Sequence, residues 1–174
     1  MLLRSERLTL RSWRESDRDQ FAALNSSAET TPDLGGPLSR AESDAKFDRY
    51  RAAFDQHGIC RWALEDAAGK FLGYAGIMPS RPNHPLGNHF EIGWRLTRPA
   101  WGKGYATEAA RAALRDGFER LALEQVLAYT SADNVRSQAV VARLKMQRAQ
   151  ALDYSEPLGE GHWRGLVWIA HNPA

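Results

Sequence analysis

The chain is poor in the features that define several large classes of protein. It has a single cysteine, Cys60, in 174 residues, so no internal disulfide is available. Cys60 lies in the mostly apolar run Ile59 to Leu64 and reads as a small core residue, not a nucleophile. No apolar stretch approaches the length that crosses a bilayer as a helix. The opening MLLRSERLTL lacks the apolar core of a signal peptide, so the expected compartment is the cytoplasm, with no membrane partner. Charge of one sign is also lacking. The formal net charge is +2, and basic residues alternate with acidic ones, as in Asp17-Arg18-Asp19 and from Glu42 to Arg51. A nucleic-acid binder gathers Lys and Arg on one face, and direct nucleic-acid binding is not expected here. The five histidines show no metal-ligand spacing, and none of them is assigned to a metal.

What remains is an ordinary globular composition, 43% hydrophobic and 25% charged, of a length that suits one domain over residues 1–174. Leu8, Leu10 and Trp13 read as a first strand, and Ser16 or Asp17 caps a short helix to about Asn25. Ser26 to Leu38 carries strong turn signals. Ser39-Arg40-Ala41-Glu42 fits a capping box and opens a helix to about His57. Two strand-like runs, Cys60 to Glu65 and Lys70 to Met78, flank a hairpin turn at Asp66 to Gly69. After a loop from Ser80 to Asn88, further strands are expected at Phe90 to Leu96, Glu124 to Ser131, Arg148 to Tyr154 and Trp163 to Ala170. Helices separate them from about Gly104 to Leu121 and from Asn134 to about Lys145. Periodicity alone assigns this order to the α+β class.

The stretch from Phe90 to Arg120 carries the chemistry. Phe90, Ile92, Trp94 and Leu96 alternate with Glu91, Gly93 and Arg95, a strand with one apolar face. Pro99 ends it. Gly102 and Gly104 then allow a tight turn and close backbone approach to a ligand. The helix that follows offers unpaired amides and a positive dipole end, which together suit a phosphate. Thr107 stands where a dinucleotide-binding fingerprint needs its third glycine, and Gly102-Lys103-Gly104 is not a Walker sequence.

Pro99-Ala100-Trp101-Gly102-Lys103-Gly104-Tyr105-Ala106-Thr107-Glu108-Ala109 resembles the pyrophosphate loop of the GNAT N-acetyltransferases, closest to the RimJ/RimL branch. Trp101 stands where the superfamily usually has Gln or Arg, as is common in that branch. Asn134-x-x-Ser137-x-x-Val140 resembles the second family motif, although Asn134 also fits a plain helix cap. The family usually closes that helix with Gly-Phe, where this chain has Lys145-Met146.

The resemblance implies a GNAT fold, an α/β sandwich whose mixed, mostly antiparallel, splayed sheet of about seven strands carries helices on both faces. It implies acetyl-CoA as co-substrate, with no metal. Trp94 and Leu96 would pair through their backbone with the pantetheine arm. Trp101, Gly102, Lys103, Gly104, Tyr105, Ala106 and Thr107 would hold the pyrophosphate, and Asn134 would contact the cofactor arm. Ser137 would protonate the departing thiolate, and either Glu156 or Glu91 would take the proton of the acceptor amine. Glu108 is read as a partner of the helix dipole, without a chemical role. The acceptor is a protein or peptide N-terminus, or else a small amine such as an antibiotic, polyamine or amino acid. A non-catalytic acyl-CoA-binding module is the reading from another class, and a homodimer is compatible with each. Acceptor choice is expected to lie in Ser26 to Leu38, Ser80 to Asn88 and Glu156 to His162.

Overall fold

A computed structural model describes residues 1–31, 36–158 and 161–173. Among these residues nine strands form one open sheet: β1 (Leu2–Arg4), β2 (Thr9–Arg11), β3 (Arg61–Glu65), β4 (Phe71–Pro79), β5 (Phe90–Leu96), β6 (Gln125–Thr130), β7 (Gln147–Arg148), β8 (Tyr154–Leu158) and β9 (Gly161–His171). Their order is β1-β2-β3-β4-β5-β6-β9-β7, with β8 added to β9. Four helices complete it: α1 (Arg18–Ser26), α2 (Arg40–His57), α3 (Tyr105–Leu121) and α4 (Val135–Arg143).

The expected class and layering are found, with two strands more than the seven anticipated. One is β1, which pairs antiparallel with β2 through a turn closed by the Ser5 amide on the Leu8 carbonyl at 3.0 Å. That turn has neither Gly nor Pro to announce it. The other comes from the run Arg148 to Tyr154, which is not one strand. After the short β7 the chain makes a 3-10 turn at Gln150–Leu152 and re-enters the sheet at Tyr154. Asp153 pins the step, accepting from the Val167 amide at 3.1 Å and pairing with Arg148 at 2.6 Å. Pro157, expected in the connection, lies inside β8, an edge strand where its missing N–H costs little.

The two helix starts differ from one another. Ser39 and Glu42 form the expected capping box. Asp17 does not cap α1 through its side chain. Its carboxylate instead grips Arg11 at 2.6 and 2.8 Å and accepts from the Arg14 amide at 2.7 Å. Burial works against ionisation of Asp17, but the Arg11 guanidinium and the Arg14 amide together outweigh it and lower the pKa.

Residues of opposite parity on β4 meet different helices. Tyr74 joins Trp13, Phe21 and Tyr50 in an aromatic cluster under α1 and α2, with centroid separations of 5.0 to 6.5 Å. Ile77 faces α3 so closely that a Cβ on Gly117 would stand 2.6 Å from its Cδ1. Ala109, Ala110, Ala113 and Gly117 give α3 the small side chains this approach requires. Cys60 is fully buried beside this core, and burial raises its thiol pKa, which keeps it an inert packing residue.

The site is set where the sheet opens. β5 and β6 run parallel and share one pairing, Glu91 with Leu127, before they part. β6 then turns its other edge to β9 over six residue pairs. The edge of β5 beyond Glu91 is therefore left unpaired.

Candidate active site

Register decides which peptide groups face that opening. The Thr97 amide donates to the Leu72 carbonyl at 2.9 Å, and the Ser80 amide to the His89 carbonyl at 2.8 Å. In an antiparallel ladder hydrogen-bonded pairs alternate, so the odd residues of β5 are bonded to β4. The peptide groups of Trp94 and Leu96 point the other way, into the gap left by β6. The Leu96 carbonyl is occupied by Trp101 Nε1 at 2.8 Å, which leaves the Trp94 groups and the Leu96 amide free to meet an extended ligand.

Past the strand, Arg98–Ala100 makes a 3-10 turn, and Gly102 and Gly104 adopt φ of 74° and 80°. These left-handed values are cheap only for glycine. The Trp101 amide is already bonded to the Arg98 carbonyl at 3.2 Å, so it is not one of the anion-binding amides expected of it. The first paired amide of α3 is that of Glu108, on the Gly104 carbonyl at 3.0 Å. Among the described residues, the amides from Gly102 to Thr107 have no hydrogen-bond partner. This unpaired row at a helix N-terminus fits a pyrophosphate. Trp101 takes another part: its indole ties the loop to β5 and lies under the Arg98 and Arg136 guanidinium groups, at 4.8 and 4.3 Å from the ring centroid.

Arg136 brings the first turn of α4 to the loop. Asn134 caps that helix, accepting from the Ser137 amide at 3.0 Å. Ser137 is half-buried in the same turn, and its hydroxyl has no partner among the described residues. Lys145, in place of the family's glycine, adopts φ of 57°. Its amide reaches the Ala142 carbonyl at 3.0 Å and the Met146 amide reaches Val141 at 3.3 Å, so the helix closes in a Schellman turn despite the substitution.

Both candidate bases are ion-paired. Glu91 pairs with Arg61, with both side chains 14% exposed. Glu156 pairs with Arg81, at 28% and 46% exposure. Both carboxylates act on the same two groups, His84 and Tyr154, whose rings are 5.0 Å apart and whose Nε2 and Oη atoms lie 3.2 Å apart. The fold thus gathers carboxylates from β5 and β8. Glu108 lies outside this group: it accepts from Ser5 Oγ, the Arg7 amide and Arg7 Nε, each at 2.7 Å, and fastens the N-terminal hairpin to α3.

Sequence reading missed His84, Tyr129, Tyr154 and Trp163, which pack with His89 at centroid separations of 4.7 to 6.4 Å. The available signal was the pair His84 and His89 bracketing a loop that Ser80 closes through the Gly87 carbonyl at 3.2 Å and the His89 amide at 3.2 Å. The Leu86 amide donates to His84 Nδ1 at 3.1 Å, so the neutral ring carries its proton on Nε2, toward Tyr154. Burial, then His89 and Arg81, lowers the His84 pKa and favours that neutral form. Of the acceptor loops, Ser80 to Asn88 is built as described. Residues 32–35 and 159–160 of the other two lie outside the described residues. No metal-holding cluster of His, Cys, Asp and Glu and no helix long and apolar enough to cross a membrane occurs among the described residues.

Comparison with known proteins identifies the family of the chain. A family model described as an acetyltransferase (GNAT) domain matches residues 7–147. The uncharacterized protein YkkB of Bacillus subtilis is 34% identical over 97 residues, 55% of each chain. The chain thus spans between about a third and about half of the length of the first curated relatives it matches. An acetyltransferase of known structure from Agrobacterium tumefaciens superposes with a TM-score of 0.84 at 28% identity, covering 98% of this chain and 94% of its own. A ribosomal-protein-S5-alanine acetyltransferase from Vibrio fischeri shares the fold, with a TM-score of 0.78, 16% identity and coverage of 99% and 97%. With the family model matching most of its length, the chain belongs to the GNAT acetyltransferase family.

Proposed function

We propose that this protein transfers the acetyl group of acetyl-CoA to a primary amine by direct attack, and that the preferred amine is an α-amine such as a protein or peptide N-terminus. The observation that carries the reading is the row of unpaired amides from Gly102 to Thr107 beside the open edge of β5. Acetyl-CoA supplies an activated acyl group. The amides hold its pyrophosphate, the free peptide groups of Trp94 and Leu96 align its extended arm, and a β5 amide near Trp94 meets the developing oxyanion. Holding donor and acceptor in one cleft removes much of the entropic barrier. Ser137, with its hydroxyl unengaged, donates a proton to the leaving thiolate.

Glu156 is the better placed proton acceptor of the two carboxylates. Its partner Arg81 is largely exposed, so water reaches the pair, whereas Glu91 is committed to a guanidinium as buried as itself. A carboxylate is a far weaker base than an amine. An α-amine, with a pKa of about 7.7 to 8.0, is already partly neutral at neutral pH, while a lysine amine at about 10.4 is almost wholly charged. The α-amine needs the less basic partner. Trp101 in the loop and Glu156 after Tyr154 support placement in the RimJ/RimL branch. A thiol-release assay over matched peptides, carrying either a free N-terminus or a free lysine as the sole amine and corrected for hydrolysis, tests the reading. A higher kcat/KM for the α-amine is expected; a higher value for lysine overturns the preference.

A further inference from the structure

Arg61 and Ala63 on β3, Tyr74 and Gly76 on β4, and Glu91, Gly93 and Arg95 on β5 are cross-strand neighbours with their side chains on one face of the sheet. Gly93 and Arg95 belong to the part of β5 that β6 has left. Gly93 is bare for a reason: a Cβ there would overlap the Arg61 guanidinium, which crosses the glycine to reach Glu91. α1 and α2 cover the face with Asn25 and Lys46. Asn25 Oδ1 accepts from both Arg95 Nη1 at 2.7 Å and Lys46 Nζ at 3.3 Å.

Charge does not balance in this cluster. Lys46, Arg61 and Arg95 are three cations, and Glu91 is their one carboxylate partner among the described residues. Arg95 is 7% exposed and, among the described residues, has only a neutral carboxamide oxygen, which it shares with Lys46. Arg61 Nε is buried with no acceptor among the described residues. Burying unpaired charge and unmet donors is costly, and core packing alone does not call for three cations together. Tyr74 registers the same field. Burial alone would raise its pKa, but Lys46, Arg95 and Arg61 outweigh burial and lower it. Lys46 is itself lowered, first by burial and then by the two arginines.

We infer that Lys46, Arg61 and Arg95 form a built anion site beside the cleft that takes a carboxylate carried by the acceptor amine. This inference rests on the proposed acetyl transfer and narrows its acceptor to amines bearing an acid group. The shared chemistry is the carboxylate. It comes either from an acidic side chain at a peptide N-terminus or from a free acidic amino acid.

The test uses the full chain and has two arms. In the first, acetyl transfer to Asp-Ala-amide, to Asn-Ala-amide and to free aspartate is compared. A kcat/KM about tenfold to a hundredfold higher for Asp-Ala-amide than for Asn-Ala-amide is expected, since a hydrogen bond to a charged group carries that much discrimination. The ratio should fall toward one in Arg95→Gln and in the more exposed Lys46→Gln. Faster turnover of aspartate than of Asp-Ala-amide assigns the carboxylate to a free amino acid, and the reverse assigns it to a peptide. Equal rates for the acid and its amide overturn the inference. The second arm needs no turnover. The tyrosinate absorbance of Tyr74, isolated by difference from Tyr74→Phe, is titrated with and without N-acetyl-Asp-Ala-amide. A bound carboxylate offsets the cations and raises the midpoint, while N-acetyl-Asn-Ala-amide leaves it in place. A midpoint that both ligands move equally, or that neither moves, overturns the anion site even if amines are acetylated. A midpoint moved by the acid alone, with no amine acetylated, upholds the anion site and removes the catalytic reading.

Discussion

Trp101 Nε1 donates to the Leu96 carbonyl at 2.8 Å, so the loop after β5 is bonded back to the edge from which it departs. That bond fixes where the unpaired amides sit relative to the open strand. Trp101→Phe keeps the ring beneath Arg136 but removes the donor. The lost part-buried bond should cost about 1 kcal/mol of folding stability, and acetyl-CoA affinity should drop about fivefold to twentyfold by calorimetry, because the loop is no longer held in place.

Ser137 is predicted to act on chemistry and not on cofactor binding. A thiol with a pKa of about 8.5 is already a fair leaving group. Ser137→Ala should therefore lower kcat by about tenfold to a thousandfold, measured by single turnover, with acetyl-CoA affinity near that of the parent. Parental turnover would leave Ser137 as a helix-start residue only.

The two carboxylates should separate by stability. Glu156→Gln should lower kcat about a hundredfold while the melting temperature stays within a few degrees, because its ion pair is exposed. Glu91→Gln leaves the buried Arg61 without a counter-charge, which costs about 3 to 5 kcal/mol. For a chain of this size that is on the order of 10 °C in melting temperature. A stable Glu91→Gln protein combined with an active Glu156→Gln enzyme would reverse the assignment.

Lys145 bears strain that the family's glycine avoids. It holds φ of 57° at an exposed position, and a non-glycine residue there costs about 1 to 2 kcal/mol. Part of that returns as the extra unfolded-state freedom of glycine. Lys145→Gly should stabilise by about 0.5 to 1 kcal/mol in urea unfolding, with the Schellman turn unchanged.

Much of this architecture was legible because local signals and tertiary demands agree. The alternation from Phe90 to Leu96, the glycines at 102 and 104 and the small face of α3 each force one local answer. The β1 hairpin was hidden because its turn, Ser5 to Leu8, contains no turn-specific residue. The break between β7 and β8 was hidden because Asp153 acts through Arg148 and the Val167 amide, a contact between distant segments. For the same reason the cofactor loop could be read from sequence while the acceptor side could not. The loop is contiguous, whereas Lys46, Arg61 and Arg95 come from α2, β3 and β5 and meet only through sheet register and the packing of the helices on the sheet.

The central claim is that acetyl-CoA lies on the backbone between Gly102 and Thr107, and Gly104 tests it most directly. Gly104 has φ of 80°, and the nearest group a Cβ there would meet is the Arg7 guanidinium, at 3.5 Å. A side chain at this position therefore touches little of the protein but stands where the pyrophosphate must approach. Calorimetric titration of Gly104→Val with acetyl-CoA, on protein shown folded by circular dichroism, should give affinity at least about a hundredfold below that of the parent, the loss of close backbone approach to the phosphates. Equal affinity in a folded Gly104→Val protein would contradict the account.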